Sequence, residues 1–208
     1  MQMERQVKVT LRYKNERAVT TYLLKAIETI QENKEIVPIF NSLLLDADLY
    51  VHSTNVAKLA VQIGIKLNLK PDQLVSLAVG GVLHDIGKLH IKRSILYKKA
   101  KLTAEEIDII KKHPQMGYEQ LKNTNLSPEI LTMILEHHET VSGTGYPTGK
   151  IQTDLFAQII SISDIASALT EVRCYHTAMN VADTLDYIKD FNSINQDIAK
   201  ILSSIVTD

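Results

Sequence analysis

The sequence predicts an all-α protein, and three observations carry that prediction. Apolar residues recur at three- and four-residue spacing through most of the chain. Helix-opening signals stand in front of several of these stretches. The composition is that of a folded domain: 208 residues, 45% apolar and 23% charged, with only 8 Gly and 5 Pro. That balance excludes a disordered chain and leaves enough residues to bury a core.

The first segment is the exception. Residues 6–14, QVKVTLRYK, alternate Val7, Val9, Leu11 and Tyr13 with Lys8, Thr10, Arg12 and Lys14. This is a strand pattern with no partner in a helical domain. It reads as a pairing segment for a homodimer or the remnant of a domain boundary, so residues 1–17 are set apart as a tail from a domain over 18–208. Residues 18–31 then carry helical periodicity. Residues 49–67 do so too, with Val56, Leu59, Ala60, Ile63 and Leu67 on one face. Pro71 suits the first turn of a helix running through LVSLAVGGVLH. Thr103 with Glu106 forms a capping-box pattern, and Ser127-Pro128 opens SPEILTMILEHHE. Residues 140–152 form a loop, with three glycines and four Thr or Ser around Tyr146-Pro147. Helices follow over 153–171, 177–190 and 194–206.

Charge and cysteine content narrow the function. The net charge of −1 excludes a general polynucleotide binder, so any phosphate chemistry must come from a local site. The single cysteine, Cys174, permits no internal disulfide and fits a reducing compartment. The N-terminus lacks the apolar core of a signal peptide, and no apolar run approaches the ~18 residues of a membrane span. The expected setting is the cytoplasm, away from the membrane.

The polar residues of the apolar helices are the informative ones. Of seven histidines, His84 closes one apolar helix beside Asp85, and His137-His138 close another. His52 starts a third amphipathic helix. Asp164 interrupts ISISDIASAL, where an unpaired carboxylate is costly to bury. A divalent cation accounts for all of them, because it replaces the hydration these groups lose. Mixed His and Asp donors without thiolates suit Fe, Mn, Zn or Ni. Helix neighbours point about 100° apart, so adjacent donors can serve two ions with a carboxylate as bridge. Paired ions are the usual means of hydrolysing a phosphodiester. Lys88, one turn beyond His84, could reach the phosphate; as an isolated lysine it would be a solvated surface residue. His90 fits no such pattern. Cys174 beside Arg173 is a weak sign of a reactive thiol.

Taken in order, VLHDIGK, ILYKKAKLTAEE, HPQMG, HHE, GTGYP and DIASALTEVRCY resemble the HD-GYP domain of the HD superfamily, over Asp46 to Tyr175. The resemblance implies an HD-domain helical bundle with the HD-GYP extension. It implies two or three divalent ions, most often iron or manganese, and hydrolysis of cyclic di-GMP to pGpG and GMP. Carried over by position, the ligands are His52, His84, Asp85, His113, His137, His138 and Asp164, with Asp85 bridging. Lys88 binds phosphate, and Gly145, Tyr146, Pro147 and Arg173 shape the substrate side. Asp48, four residues before His52, stands where some members hold a third metal; a helix cap or a solvated acid is the alternative for it. Asp46 lies one step off that face.

The chain also departs from the family. Thr140-Val141-Ser142-Gly143 replaces an Arg-Trp-Asp-Gly stretch, and Cys174-Tyr175-His176 replaces Pro-Tyr-Arg. Gly80-Gly81 replaces bulkier residues within a helix, at up to about 1 kcal/mol each, which a close helix crossing would offset. The implied partner is a cyclic dinucleotide, with a second copy of the chain, a diguanylate cyclase or a regulatory domain as further partners. Two alternatives stand beside the cyclic di-GMP phosphodiesterase. One is a phosphohydrolase acting on another nucleotide. The other is a non-catalytic nucleotide-binding or protein-interaction module.

Overall fold

A computed structural model describes residues 15–171 and 178–206. The strand expected over 6–14 lies outside the described residues, as do Arg173, Cys174 and His176. The described residues form eleven α-helices and one 3-10 turn. The first four helices are α1 (Glu16–Glu32), α2 (Val37–Leu44), α3 (Ala47–Lys66) and α4 (Pro71–Leu83). The 3-10 turn Ile86–His90 and the short α5 (Arg93–Leu96) and α6 (Ala104–Ile110) follow. Next come α7 (His113–Leu121), α8 (Pro128–Glu136), α9 (Leu155–Thr170), α10 (Val181–Asp190) and α11 (Gln196–Val206). No described helix is long and apolar enough to cross a membrane.

Local chemistry sets most helix starts. Pro71 and Pro128 occupy first turns, where a missing N–H costs nothing. Thr103 and Glu106 exchange both bonds of a capping box. Ser127 accepts from the Ile130 amide, and Asp154 accepts from the Ala157 amide at 2.8 Å. The short helices α2, α5 and α7 have no long apolar stripe, so periodicity did not announce them.

Helix α3 is the axis of the bundle. Its Val56, Ala57, Leu59, Ala60, Val61 and Ile63 are fully buried. It packs against α4 on one side and α9 on another, with α1 across α3 and α4 and α8 against α4. The glycine pair now has a reason. A β-carbon on Gly81 would lie 2.5 Å from the Ala57 Cα, so α4 crosses α3 backbone to backbone. Gly80 instead faces the flexible end of Met133 on α8. This crossing brings the end of α4 beside the start of α3.

Candidate metal centre

Five segments of the bundle point donor side chains at one buried place. His52 comes from α3, His84 and Asp85 from the end of α4, and His113 from the first turn of α7. His137 and His138 end α8, and Asp164 lies within α9. His84, His113 and His137 share one device. Each Nδ1 donates to the carbonyl three residues earlier, in the last turn of the preceding helix. The acceptors are Gly81 at 2.8 Å, Ile110 at 2.8 Å and Ile134 at 2.9 Å. Helix ends leave carbonyls without intrahelical partners, so a terminal histidine finds one waiting. A carbonyl only accepts, so Nδ1 carries the proton and each Nε2 presents a lone pair inward. Gly87 completes the approach. Its β-carbon would lie 2.0 Å from the His113 carbonyl oxygen, so only glycine lets the turn after Asp85 abut α7.

The donors form two groups, His52 with His84 and Asp164, and Asp85 with His113, His137 and His138. Within each group the ligand atoms lie within 4.8 Å of one another. Asp85 stands between them. Its Oδ1 is 3.1 Å from His113 Nε2 and 3.9 Å from His137 Nε2. Its Oδ2 is 3.4 Å from His84 Nε2 and 3.6 Å from His52 Nε2. Asp164 also divides its oxygens. Oδ1 is 2.9 Å from His52 Nε2, and Oδ2 is 3.9 Å from His138 Nε2.

These atoms fit a metal and little else. His113 Nε2 and His137 Nε2 face each other at 3.1 Å, lone pair against lone pair. His84 Nε2 and Asp85 Oδ1 are buried with no hydrogen-bond partner among the described residues, an arrangement that costs free energy unless a cation fills it. The electrostatics agree. Burial drives His113 down, His137 well below the usual imidazole range and His138 down to about 3. Burial works to raise the Asp85 carboxyl, but electrostatic interaction with the His84 and Lys88 side chains outweighs it and holds it well below the usual range. For Asp164, contacts with His52, His84 and His138 likewise outweigh burial. His113, His137 and His138 held neutral beside ionised carboxylates are in the state that binds divalent ions.

Other residues surround this centre. Lys88 Nζ lies 2.5 Å from Asp85 Oδ2. The Tyr146 ring stacks on His138, with centroids 4.5 Å apart and planes 26° apart, and Lys111 Nζ sits 5.7 Å from that ring. The Tyr146 amide donates to the His138 carbonyl at 3.1 Å. Gly145 packs so close that a β-carbon would lie 2.3 Å from the same oxygen. Pro147 follows through a cis peptide bond. Glu139, buried, holds this loop: its Oε1 accepts from Thr148 N, Thr148 Oγ1 and Gly149 N at 2.6, 2.7 and 3.2 Å.

Asp48 is exposed in the first turn of α3 and belongs to neither group. The cap of α3 is Asp46, which accepts from the Leu49 amide at 3.3 Å, pairs with Arg93 at 2.7 Å and accepts from the Tyr97 hydroxyl. His90 stands apart, bonded to Gln120 at 3.0 Å. Sequence reasoning missed the partners of His52 on its Nδ1 side, Glu171 at 3.1 Å and Ser167 at 3.2 Å. The available signal was spacing: Ser167 and Glu171 follow Asp164 by one and two helical turns. It also missed Lys111 and the role of Glu139.

A family model described as HD domain matches residues 38–195. A protein of Pseudomonas aeruginosa named as a cyclic di-GMP phosphodiesterase is 36% identical over 147 residues, covering 69% of this chain and 35% of its own. A Vibrio cholerae protein named as a 3′3′-cGAMP-specific phosphodiesterase is 32% identical over 142 residues, covering 67% of this chain and 33% of its own. The chain thus spans about a third of the length of these curated relatives. Among solved structures, an HD-GYP-type protein of Bdellovibrio bacteriovorus superposes with a TM-score of 0.68 at 20% identity, over 93% of this chain and 66% of that one. That likeness bears on the fold.

Proposed function

This chain belongs to the HD domain family, and from that premise we propose that it is a metal-dependent phosphodiesterase hydrolysing cyclic di-GMP to pGpG and on to GMP. The observation that carries this reading is Asp85, one buried carboxylate with an oxygen toward each histidine group. The name of the Pseudomonas relative supplies the substrate. Two divalent ions are assigned: imidazole and carboxylate donors without thiolate suit iron, manganese, zinc or nickel, and the resemblance to HD-GYP domains puts iron or manganese first. His52, His84 and Asp164 would hold one, and His113, His137 and His138 the other, with Asp85 shared. A third ion would need the exposed Asp48 to turn inward.

Ions held there supply the charge that polarises a phosphodiester and lowers the pKa of water. The chain does the rest. The backbone carbonyls behind His84, His113 and His137 keep each Nε2 deprotonated and aimed. Lys88, already beside Asp85, neutralises charge growing on the phosphoryl oxygens. Tyr146, with Gly145 and Pro147, forms an aromatic wall against His138 on which a base can lie. Arg173, outside the described residues, is assigned to the same substrate side.

A second reading concerns the nucleotide. Thr140, Ser142 and Thr144 hydrogen-bond one another through their hydroxyls at 2.9–3.2 Å. This leaves a neutral rim where the related pattern has an arginine and an aspartate. A neutral rim lacks the guanidinium and carboxylate that hydrogen-bond the edges of guanine, which favours a mixed cyclic dinucleotide such as 3′3′-cGAMP, the substrate in the Vibrio relative's name. The test is anaerobic incubation of iron- or manganese-loaded protein with each cyclic dinucleotide in competition, followed by chromatography. Formation of pGpG or GMP from cyclic di-GMP supports the first reading. Preferential loss of the mixed dinucleotide supports the second. No turnover of either, with metal bound, overturns both and leaves a binding module.

A further inference from the structure

We propose that Glu171 is a positioning residue that sets the metal affinity of the His52, His84 and Asp164 group. The inference rests on the metal-centre reading and deepens it. His84, His113 and His137 are aimed by backbone carbonyls at helix ends. His52 has no such option. It lies inside α3, where the backbone carbonyls are engaged along the helix. Its ring must therefore be fixed by a side chain from elsewhere, and α9 provides one.

Glu171 Oε2 lies 3.1 Å from His52 Nδ1, and Ser167 Oγ lies 3.2 Å from the same nitrogen. Glu171 is itself held. Its Oε1 accepts from Asn55 Nδ2 at 2.8 Å and from the Ser167 hydroxyl. Asn55 stands one turn along α3 from His52, and Ser167 one turn along α9 from Asp164. Two of the three helices that donate ligands to this group, α3 and α9, are thus tied together by the carboxylate that orients His52. An anionic acceptor behind an imidazole fixes the tautomer and makes the far nitrogen a stronger donor. His52 is the imidazole that has a carboxylate at Nδ1, where His84, His113 and His137 have a neutral carbonyl. Glu171 therefore strengthens one ion position selectively.

The test reads metal binding, not turnover. Metal-free wild type, Glu171→Gln and Glu171→Ala are titrated with Mn(II) by calorimetry, and the bound manganese is examined by electron paramagnetic resonance. The wild type is expected to take up two ions and give the signal of a coupled pair. Glu171→Gln is expected to lose about 10- to 100-fold at one position, the range for removing such a partner, and keep the other. Its spectrum at two equivalents is then that of isolated ions. Asn55→Ala, which only loosens the grip on Glu171, is expected to shift the same position by less. Equal weakening at both positions would overturn the proposal, as would unchanged affinities with a lower melting temperature of the metal-free protein. A wild type that binds no manganese would instead overturn the metal centre itself, and this proposal with it.

Discussion

Adding one methyl group to Gly81 tests the link between helix packing and the metal centre. In Gly81→Ala the new β-carbon would begin 2.5 Å from the Ala57 Cα and 2.8 Å from its amide nitrogen. Ordinary carbon contacts are about 3.5–4.0 Å. Helices α3 and α4 must therefore separate by about 1 Å, and neither atom belongs to a side chain that can swing away. Overpacking of this kind costs about 1–3 kcal/mol, against a gain of up to about 1 kcal/mol from replacing a helical glycine. In a chain of this size each kcal/mol lowers the melting temperature by about 2–4 °C, so the net drop is expected to be several degrees. The displacement also separates His84, three residues on, from His52, so manganese affinity falls with stability. Gly80→Ala is the control. Its β-carbon meets the Met133 thioether end at 2.6 Å, which can rotate, so stability and affinity stay near wild type. Thermal melts and calorimetric titrations of both variants decide it. Equal behaviour of the two, or a Gly81→Ala protein as stable and as tightly metal-binding as wild type, would refute the reasoning.

Three further outcomes are expected. Lys88→Ala should lower kcat by about 100-fold, the scale for removing one charge-stabilising donor, while the metal content measured by elemental analysis stays at the wild-type value. Glu139→Ala removes the acceptor for Thr148 and Gly149, so the loop carrying Tyr146 loosens; kinetics should show KM rising more than kcat falls, with metal content unchanged. The third concerns pH. Burial depresses His113, His137 and His138 in the folded chain, while an unfolded histidine takes up a proton below about 6.5. The metal-free protein should therefore have its full stability above that pH and lose it as pH falls through it. Denaturant melts from pH 8 to 5 check this, and metal-loaded protein should hold its stability to lower pH.

Legibility followed how local each feature is. The His84-Asp85 and His137-His138 pairs stood out because polar residues ended apolar helices, and the fold gathers them with His52, His113 and Asp164. Capping signals at Thr103, Ser127 and Pro71 lay within single turns and marked the starts of α6, α8 and α4. The helix over 194–206 starts two residues later than its periodicity implied, where the chain is still turning. The Gly80-Gly81 pair could be read as a cost, but its compensation depends on Ala57, a residue of another helix. Glu171 offered only its spacing from Asp164, because its partners His52 and Asn55 lie more than a hundred residues away. The choice between Asp46 and Asp48 turned on where α3 begins, and two residues of register separate a buried cap from an exposed acid. Helices α2 and α7 were too short for periodicity to rise above the surrounding sequence.

The central claim is that one carboxylate, Asp85, serves two ion positions at once. Its most direct test is the number of ions bound per chain in wild type and in Asp85→Ala, both purified anaerobically with excess manganese and measured by elemental analysis after desalting. The account predicts two in the wild type and fewer than one in the variant, since both groups lose a shared donor. Two ions retained by Asp85→Ala would contradict it.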